Sequence, residues 1–355
     1  MQSRRQTAKK CISILTGLLP ITSLIIPLLI LYYLDPSSFE KMWQGRTYQL
    51  FFIWLCFLEL ILNWEDLQTT KLHRMKSARI FAFAASLLIP TVYVIAANFL
   101  GVNTAIFELA KYSNIGEHWA QLMPLTIEYF VFMGIFALII TLEYGVSGLT
   151  SYSLPVFFMG VIGGLYTIDN LYPWGRFTPF QIIVPTTTTL AAGVLNLMGY
   201  QTRTSFTVSP EYGYTPSLTA QNAKGLASFG IAWPCAGIES LLIYSVVILL
   251  FLSKSTIPWW QRTIYFLAGA TVTYFINILR IATIFVIAID TGWTPRYFPP
   301  EVQRFHDYYG MLYSIAWIVA YPLIIIGLRT LWTFIRKSKA ITGKTPLSIE
   351  PSRIH

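Results

Sequence analysis

The sequence predicts an all-α fold: a polytopic bundle of transmembrane helices with about 8 to 9 apolar segments and one long polar extracytoplasmic segment with room for a short hairpin. Three observations lead there. Hydrophobic residues make up 55% of the 355 and charged residues only 12%, too little charge to cover a soluble domain of this size. The apolar residues fall in long runs bounded by polar or basic clusters, which is the pattern of repeated membrane spans. Aromatics reach 16%, with Trp and Tyr gathered near the run ends as interfacial belts require. The net charge of +9 sits in short clusters beside the apolar runs, so it orients the chain in a membrane and gives no reason to expect a nucleic-acid partner.

Taken in order, Arg4, Arg5, Lys9 and Lys10 precede a charge-free run over 12–34. That run is too long for a signal-peptide core and lacks a small-residue cleavage site, so it reads as a retained span starting in the cytoplasm. Asp35-Pro36 ends it. A second span covers 48–63, and the loop after it holds Lys71, His73, Arg74, Lys76 and Arg79, which makes it cytoplasmic by the positive-inside rule. A third covers 80–100, followed by a mixed extracytoplasmic segment, 101–123, with one amphipathic helix at most. Apolar stretches then fall at 124–142, 145–168 and 182–200, where Gly145, Gly148, Gly160, Gly163 and Gly164 allow close helix packing.

Residues 201–234 form the longest polar stretch, rich in Thr, Ser, Tyr and Gly. The alternation Ser205-Phe206-Thr207-Val208 points to a short strand or hairpin, and a segment this long before a reactive residue reads as a lid or substrate ledge. Spans at 236–252, 263–289 and 308–335 follow, with a basic turn at 253–262 and a loop at 290–305. The tail opens Arg336-Lys337-Ser338-Lys339 and is expected to be cytoplasmic and disordered. The chain thus divides into N-terminal spans over 1–180, a core over 181–335 that includes the polar segment 201–234, and a tail over 336–355. Nine stretches do not fit two cytoplasmic termini, which need an even number of crossings. One stretch is therefore re-entrant, interfacial or misread, or a further span is hidden in 101–123, and 145–168 with 182–200 is the first pair to suspect.

Working back from an inside tail, the loop 290–305 is outside, the turn 253–262 inside, and the helix after Pro234 starts outside. Cys235 and His306 then share the extracytoplasmic face. Cys235 stands in Trp233-Pro234-Cys235-Ala236-Gly237-Ile238-Glu239-Ser240. A proline just inside a helix start loses no hydrogen bond, so this spacing predicts a thiol in the first turn of a membrane helix, among free N–H groups that favour the thiolate. Cys11 and Cys56 lie in or beside apolar runs as small hydrophobes, and the three cysteines make no disulfide framework.

Arg280, in Asn277-Ile278-Leu279-Arg280-Ile281, is a guanidinium inside a span, roughly 15 Å from its outer end at about 1.5 Å per residue. It shares a helix face with Asn277, and an ion pair with Glu59, Glu128 or Glu239 is the structural alternative for it. His306 opens the last span in Phe305-His306-Asp307-Tyr308-Tyr309, whereas His73 and His118 lie in loops without reactive neighbours. A thiolate, an imidazole and a guanidinium make a set suited to acyl transfer. Glu239 can anchor Arg280 or orient His306, or repel a thiolate. No spaced Cys/His set implies a metal and no Gly-rich loop implies a nucleotide, so neither a metal nor an organic cofactor is expected.

The pattern Pro234-Cys235-Ala236-Gly237-Ile238-Glu239-Ser240, then Asn277-Ile278-Leu279-Arg280-Ile281, then His306 at the head of the last span, resembles the exosortase/archaeosortase family over roughly 181–335. The resemblance implies a membrane-embedded cysteine transpeptidase of the cell (plasma) membrane, with Cys235 as nucleophile, Arg280 as the family's arginine and His306 as the third member. It implies membrane-anchored protein substrates with a C-terminal sorting signal, made of a short motif, a transmembrane helix and a basic tail. Cleavage through a thioester would be followed by transfer to a lipid or surface amine acceptor. Ala236 and Glu239 depart from the family pattern. Two other readings stay open: a multi-pass transporter or lipid-handling protein in which Arg280 binds an anionic group, and a membrane assembly partner with a degenerate site.

Overall fold

The computed structural model describes residues 2–41, 43–64, 67, 77–174, 176–209, 213–253 and 255–342. The basic cluster at 71–76 and the tail beyond 342 lie outside the described residues, and with them the expectations placed on that loop and that tail. The helices are α1 (Gln2–Leu34), α2 (Thr47–Leu62), α3 (Ser77–Ser86), α4 (Ile89–Phe99), α5 (Val102–Tyr112), α6 (Glu117–Tyr144), α7 (Val146–Ser151), α8 (Ser153–Leu171), α9 (Thr178–Gln181) and α10 (Val184–Leu197). After a sheet come α11 (Ile238–Ser253), α12 (Trp259–Asp290), α13 (Pro300–Arg304), a π-helical turn (Phe305–Tyr309) and α14 (Gly310–Thr342).

Among the described residues, six stretches are helical, long and apolar enough to cross a membrane: Gly17–Leu34, α6, α8, Thr178–Leu197, α12 and Pro300–Ile335. A seventh exists if α3 and α4 are taken as one bent span. The other two apolar stretches, α2 and α11, have 16 residues each, so each spans about 24 Å against a hydrocarbon core of about 30 Å. The expected span over 80–100 is thus two helices meeting at 40°, with Pro90 in the first turn of α4. A proline there cannot donate back into α3, and the chain turns at the break. The stretch 145–168 is also interrupted, at Tyr152 between α7 and α8, and the mixed segment 101–123 supplies α5 and the start of α6. Arg79 donates from Nε to Leu142 O and from Nη2 to Thr141 O, both at 3.0 Å, placing a cation at the negative end of α6, where Thr141 O also accepts the Gly145 N–H.

The polar segment is more regular than a short hairpin. It forms a three-stranded antiparallel sheet, β1 (Gln201–Ser209), β2 (Gly213–Asn222) and β3 (Gly225–Gly230), in the order β1-β2-β3. Leu218, Ala220 and Ala227 point into a core shared with α10 and α12. That burial fixes the sheet against the helices, because a one-residue slip would turn all three outward.

Two large cores, beside a small cluster of Phe83, Ile135 and Ile139, adjoin at Trp43. One gathers apolar side chains of α1, α2, α6, α8, α11 and α14, with Phe52, Phe136, Phe158 and Tyr244 at its centre. The other joins α10, the sheet and α12 through Ala191, Leu218 and Phe285. Trp43 packs against both. Its loop is held by Arg46, which grips Glu128 of α6 through Nε–Oε1 at 2.8 Å and Nη2–Oε2 at 2.9 Å, while Gln49 Nε2 donates to Glu128 Oε1 and Tyr129 donates to Gly45 O at 2.7 Å.

Candidate active site

Residues 233–237 form a turn before α11, not the first turn of that helix. Gly237 has φ +88°, which a helix cannot continue through, and a Cβ there would lie 2.7 Å from Asn277 Cγ. Cys235 therefore precedes the helix by three residues, and its surroundings differ from the expected row of free N–H groups. The Cys235 N–H donates to Ala232 O at 3.0 Å, and the Ala236 N–H to Ala232 O and Trp233 O at 3.1 Å. The turn is clamped by three side chains from three elements: Gln181 Oε1 accepts from the Trp233 N–H at 3.1 Å, Asn277 Nδ2 donates to Cys235 O at 3.1 Å, and Thr187 Oγ1 reaches Ala236 O at 3.4 Å.

The structure brings Cys235, Arg280 and His306 to one cavity of about 170 Å³. Cys235 Sγ lies 3.7 Å from His306 Nε2. On the other side of the ring, His306 Nδ1 is 2.9 Å from Asp307 Oδ1, and Gln303 Nε2 donates to the second oxygen of Asp307. The π-helical turn carries this histidine at the head of the last long helix. Burial alone would push the Cys235 thiol up, but its hydrogen bond to His306, the charge of His306 and the charge of Arg280 together hold it below the ordinary thiol value. The direction agrees with the sequence reading, and the cause is different: an imidazole and a guanidinium stand where free helix N–H groups were expected.

Arg280 is 6% exposed and donates from Nη2 to His306 O at 3.2 Å. It is seated against Gly310, where a Cβ would come within 2.8 Å of its Nε. Among the described residues it makes no salt bridge with the three carboxylates considered for it. Glu128 is taken by Arg46, Glu59 accepts from Asn63, and Glu239 accepts from the buried Tyr48 hydroxyl. Glu239 lines the same cavity.

Sequence reasoning missed four contributors. Asp307, adjacent to His306, could have been read as its partner from the sequence itself. Asp169, an acid at the end of an apolar run, lines the cavity and accepts from Trp43 Nε1 at 3.0 Å and Gln44 Nε2 at 3.2 Å. Trp43 and Gln181 left no readable signal, since each lies far from the cysteine in the chain. His118 contacts Trp119 edge-on at 5.0 Å, and no group of His, Cys, Asp and Glu among the described residues could hold a metal ion.

No curated protein and no solved structure matches the chain. A protein-family model described as transmembrane exosortase (Exosortase_EpsH) matches residues 42–323, which covers most of the chain and extends well before residue 181, where the resemblance in the sequence begins.

Proposed function

The chain belongs to the transmembrane exosortase family, and from that premise we propose that this multi-pass membrane protein is a cysteine transpeptidase with Cys235 as its nucleophile. The observation that carries the reading is the 3.7 Å approach of Cys235 Sγ to His306 Nε2 in the cavity lined by Arg280. The thiolate attacks the scissile carbonyl carbon, and the oxyanion that forms takes hydrogen bonds from Arg280. Because the Cys235 and Ala236 N–H groups are already engaged, the guanidinium rather than the backbone supplies the stabilising charge. His306, oriented by Asp307, protonates the leaving amine, and the C–N bond breaks to leave a thioester on Cys235. In the second half an acceptor amine attacks the thioester, gives a proton back to His306 and expels the thiolate.

Substrates are membrane-anchored proteins whose C-terminal sorting signal places the scissile bond at the outer face of the cell membrane. A helix held in the bilayer confines the search to two dimensions and orients the bond, which supplies much of the rate advantage that positioning can give. The sidedness follows from the basic clusters that flank the last spans.

Co-expression with a membrane protein bearing a motif, a transmembrane helix and a basic tail tests the reading. Cys235→Ala abolishes cleavage, while Arg280→Ala and His306→Ala each lower it by roughly 10²- to 10³-fold. Arg280 also lines a second cavity, with Leu279 and Tyr313 among its walls, and this favours a lipid-handling protein as the second reading. In that case Cys235→Ser leaves function intact.

A further inference from the structure

The cavity at Cys235 has a second wall of different chemistry, contributed by the N-terminal half of the chain: Asp169 at the end of α8, Trp43 from the loop before α2, Trp119 from α6 and Trp174 after α8. Asp169 is 2% exposed, and both of its hydrogen bonds, from Trp43 and Gln44, fall on Oδ2. Its Oδ1 has no donor among the described residues. Trp43 is fixed edge-on against Tyr166 at 5.1 Å and Trp233 at 6.0 Å, and Trp119 meets Trp174 edge-on at 6.4 Å. A carboxylate oxygen that has no donor among the described residues and is carried by a nearly buried side chain lining the cavity attracts a cation by charge, and the neighbouring indoles add π surface to the same wall. The cationic groups of the cavity, Arg280 and His306, serve the carbonyl and leaving group, and the other acid of the lining, Glu239, is engaged by the Tyr48 hydroxyl.

We infer that Asp169, with Trp43, Trp119 and Trp174, forms the subsite for the acceptor, and that the acceptor presents a small primary ammonium. The inference rests on the transpeptidase reading and assigns the residues that receive its acceptor amine. The bound ammonium releases one proton to solvent by way of Asp169, and the nitrogen lone pair then attacks the thioester carbonyl. The C–N bond forms as the C–S bond breaks, the second nitrogen proton passes to His306, and Cys235 leaves as the thiolate beside an imidazolium, which is the state in which the cycle begins.

The test follows alkylation of Cys235 by iodoacetamide in the full-length protein, in a Cys11→Ser, Cys56→Ser background at pH 7, with each rate normalised to the same variant without ligand. Ethanolamine, protonated at this pH, is expected to protect Cys235 at a concentration roughly tenfold lower than its neutral analogue 2-methoxyethanol. In Asp169→Asn the two compounds protect alike, and Trp174→Leu, at a residue 44% exposed, loses several-fold of the preference and serves if Asp169→Asn fails to fold. Equal protection in the unsubstituted protein, or a preference that survives both substitutions, overturns the subsite and leaves Asp169 as a brace for the Trp43 loop. Reconstitution in phosphatidylglycerol vesicles with and without phosphatidylethanolamine then separates a lipid headgroup, which slows alkylation, from a soluble amine, which leaves it unchanged. No arm needs turnover, so a failed subsite is distinguishable from a failed nucleophile, which shows as cleavage surviving Cys235→Ala.

Discussion

Gly310 sets the seat of Arg280, and replacing it with alanine tests how closely that seat is built. A Cβ at 310 would lie 2.8 Å from Arg280 Nε, 2.9 Å from Cγ and 3.0 Å from Cδ, where ordinary contact begins near 3.4 Å. The guanidinium must therefore shift by about half an ångström, since the three atoms are mid-chain and cannot swing aside like a flexible tip. A displacement of about 1 Å can cost 10²-fold in rate, so about a tenfold loss of cleavage is expected from Gly310→Ala. On stability two terms oppose each other: alanine adds up to about 1 kcal/mol in a helix, and overpacking costs about 1–3 kcal/mol. The net change is expected between neutral and about 2 kcal/mol destabilising. Gly327, on the same helix with nothing within 4 Å of a built Cβ, gives the control, because Gly327→Ala keeps only the favourable term. Cleavage of a co-expressed substrate and the thermal midpoint in detergent measure the two arms. Adding Arg280→Ala removes all three atoms that are struck, so the overpacking cost of Gly310→Ala should vanish from the thermal midpoint in that background, a coupling a double-mutant cycle reads directly. Full cleavage in Gly310→Ala, with a thermal midpoint raised as in Gly327→Ala, would refute the close seating.

The Cys235 alkylation rate should reach its plateau at a lower pH than for an ordinary thiol, whose pKa is about 8.5, and fall only as pH drops through the depressed folded value. His306→Ala removes the main cause of that depression and leaves burial, so the profile moves to higher pH; an unmoved profile would deny the pairing. Glu128→Gln breaks the enclosed grip on Arg46 and is expected to destabilise the protein by about 3–5 kcal/mol, read as a lower thermal midpoint in detergent. A change below about 1 kcal/mol would assign the pair no more weight than a surface one.

The residues legible in sequence were those that interrupt an apolar background. Arg280 is a charge inside a span and His306 an imidazole heading a helix, and both stand out because burying them uncompensated is costly, while Cys235 stands out by its place at a polar boundary. The helix start after Cys235 was misplaced because Pro234 looks like a first-turn proline, while the decisive residue is Gly237, whose positive φ ends the turn three residues later. The hairpin was visible in the alternation around Phe206, but β3 was not, since Gly225-Leu226-Ala227-Ser228-Phe229-Gly230 has too few side chains to show a period. Asp169 and Trp43 are brought to the cavity by tertiary packing alone, through a loop that the Arg46–Glu128 pair pins to α6.

The π-helical turn over Phe305–Tyr309 means that His306 owes its place to a count of residues as much as to its identity. Such a bulge accommodates one residue more than an α-helical turn would, so deleting a single residue from it would restore regular winding, keep the flanking helix in register and turn the bulge's own side chains by up to about 100°. The imidazole would then sweep away from the sulfur although every reactive side chain remained in the chain. Insertions and deletions at this spot are thus a route by which a lineage could extinguish the chemistry, or re-aim it, in one genetic step without altering a single functional group.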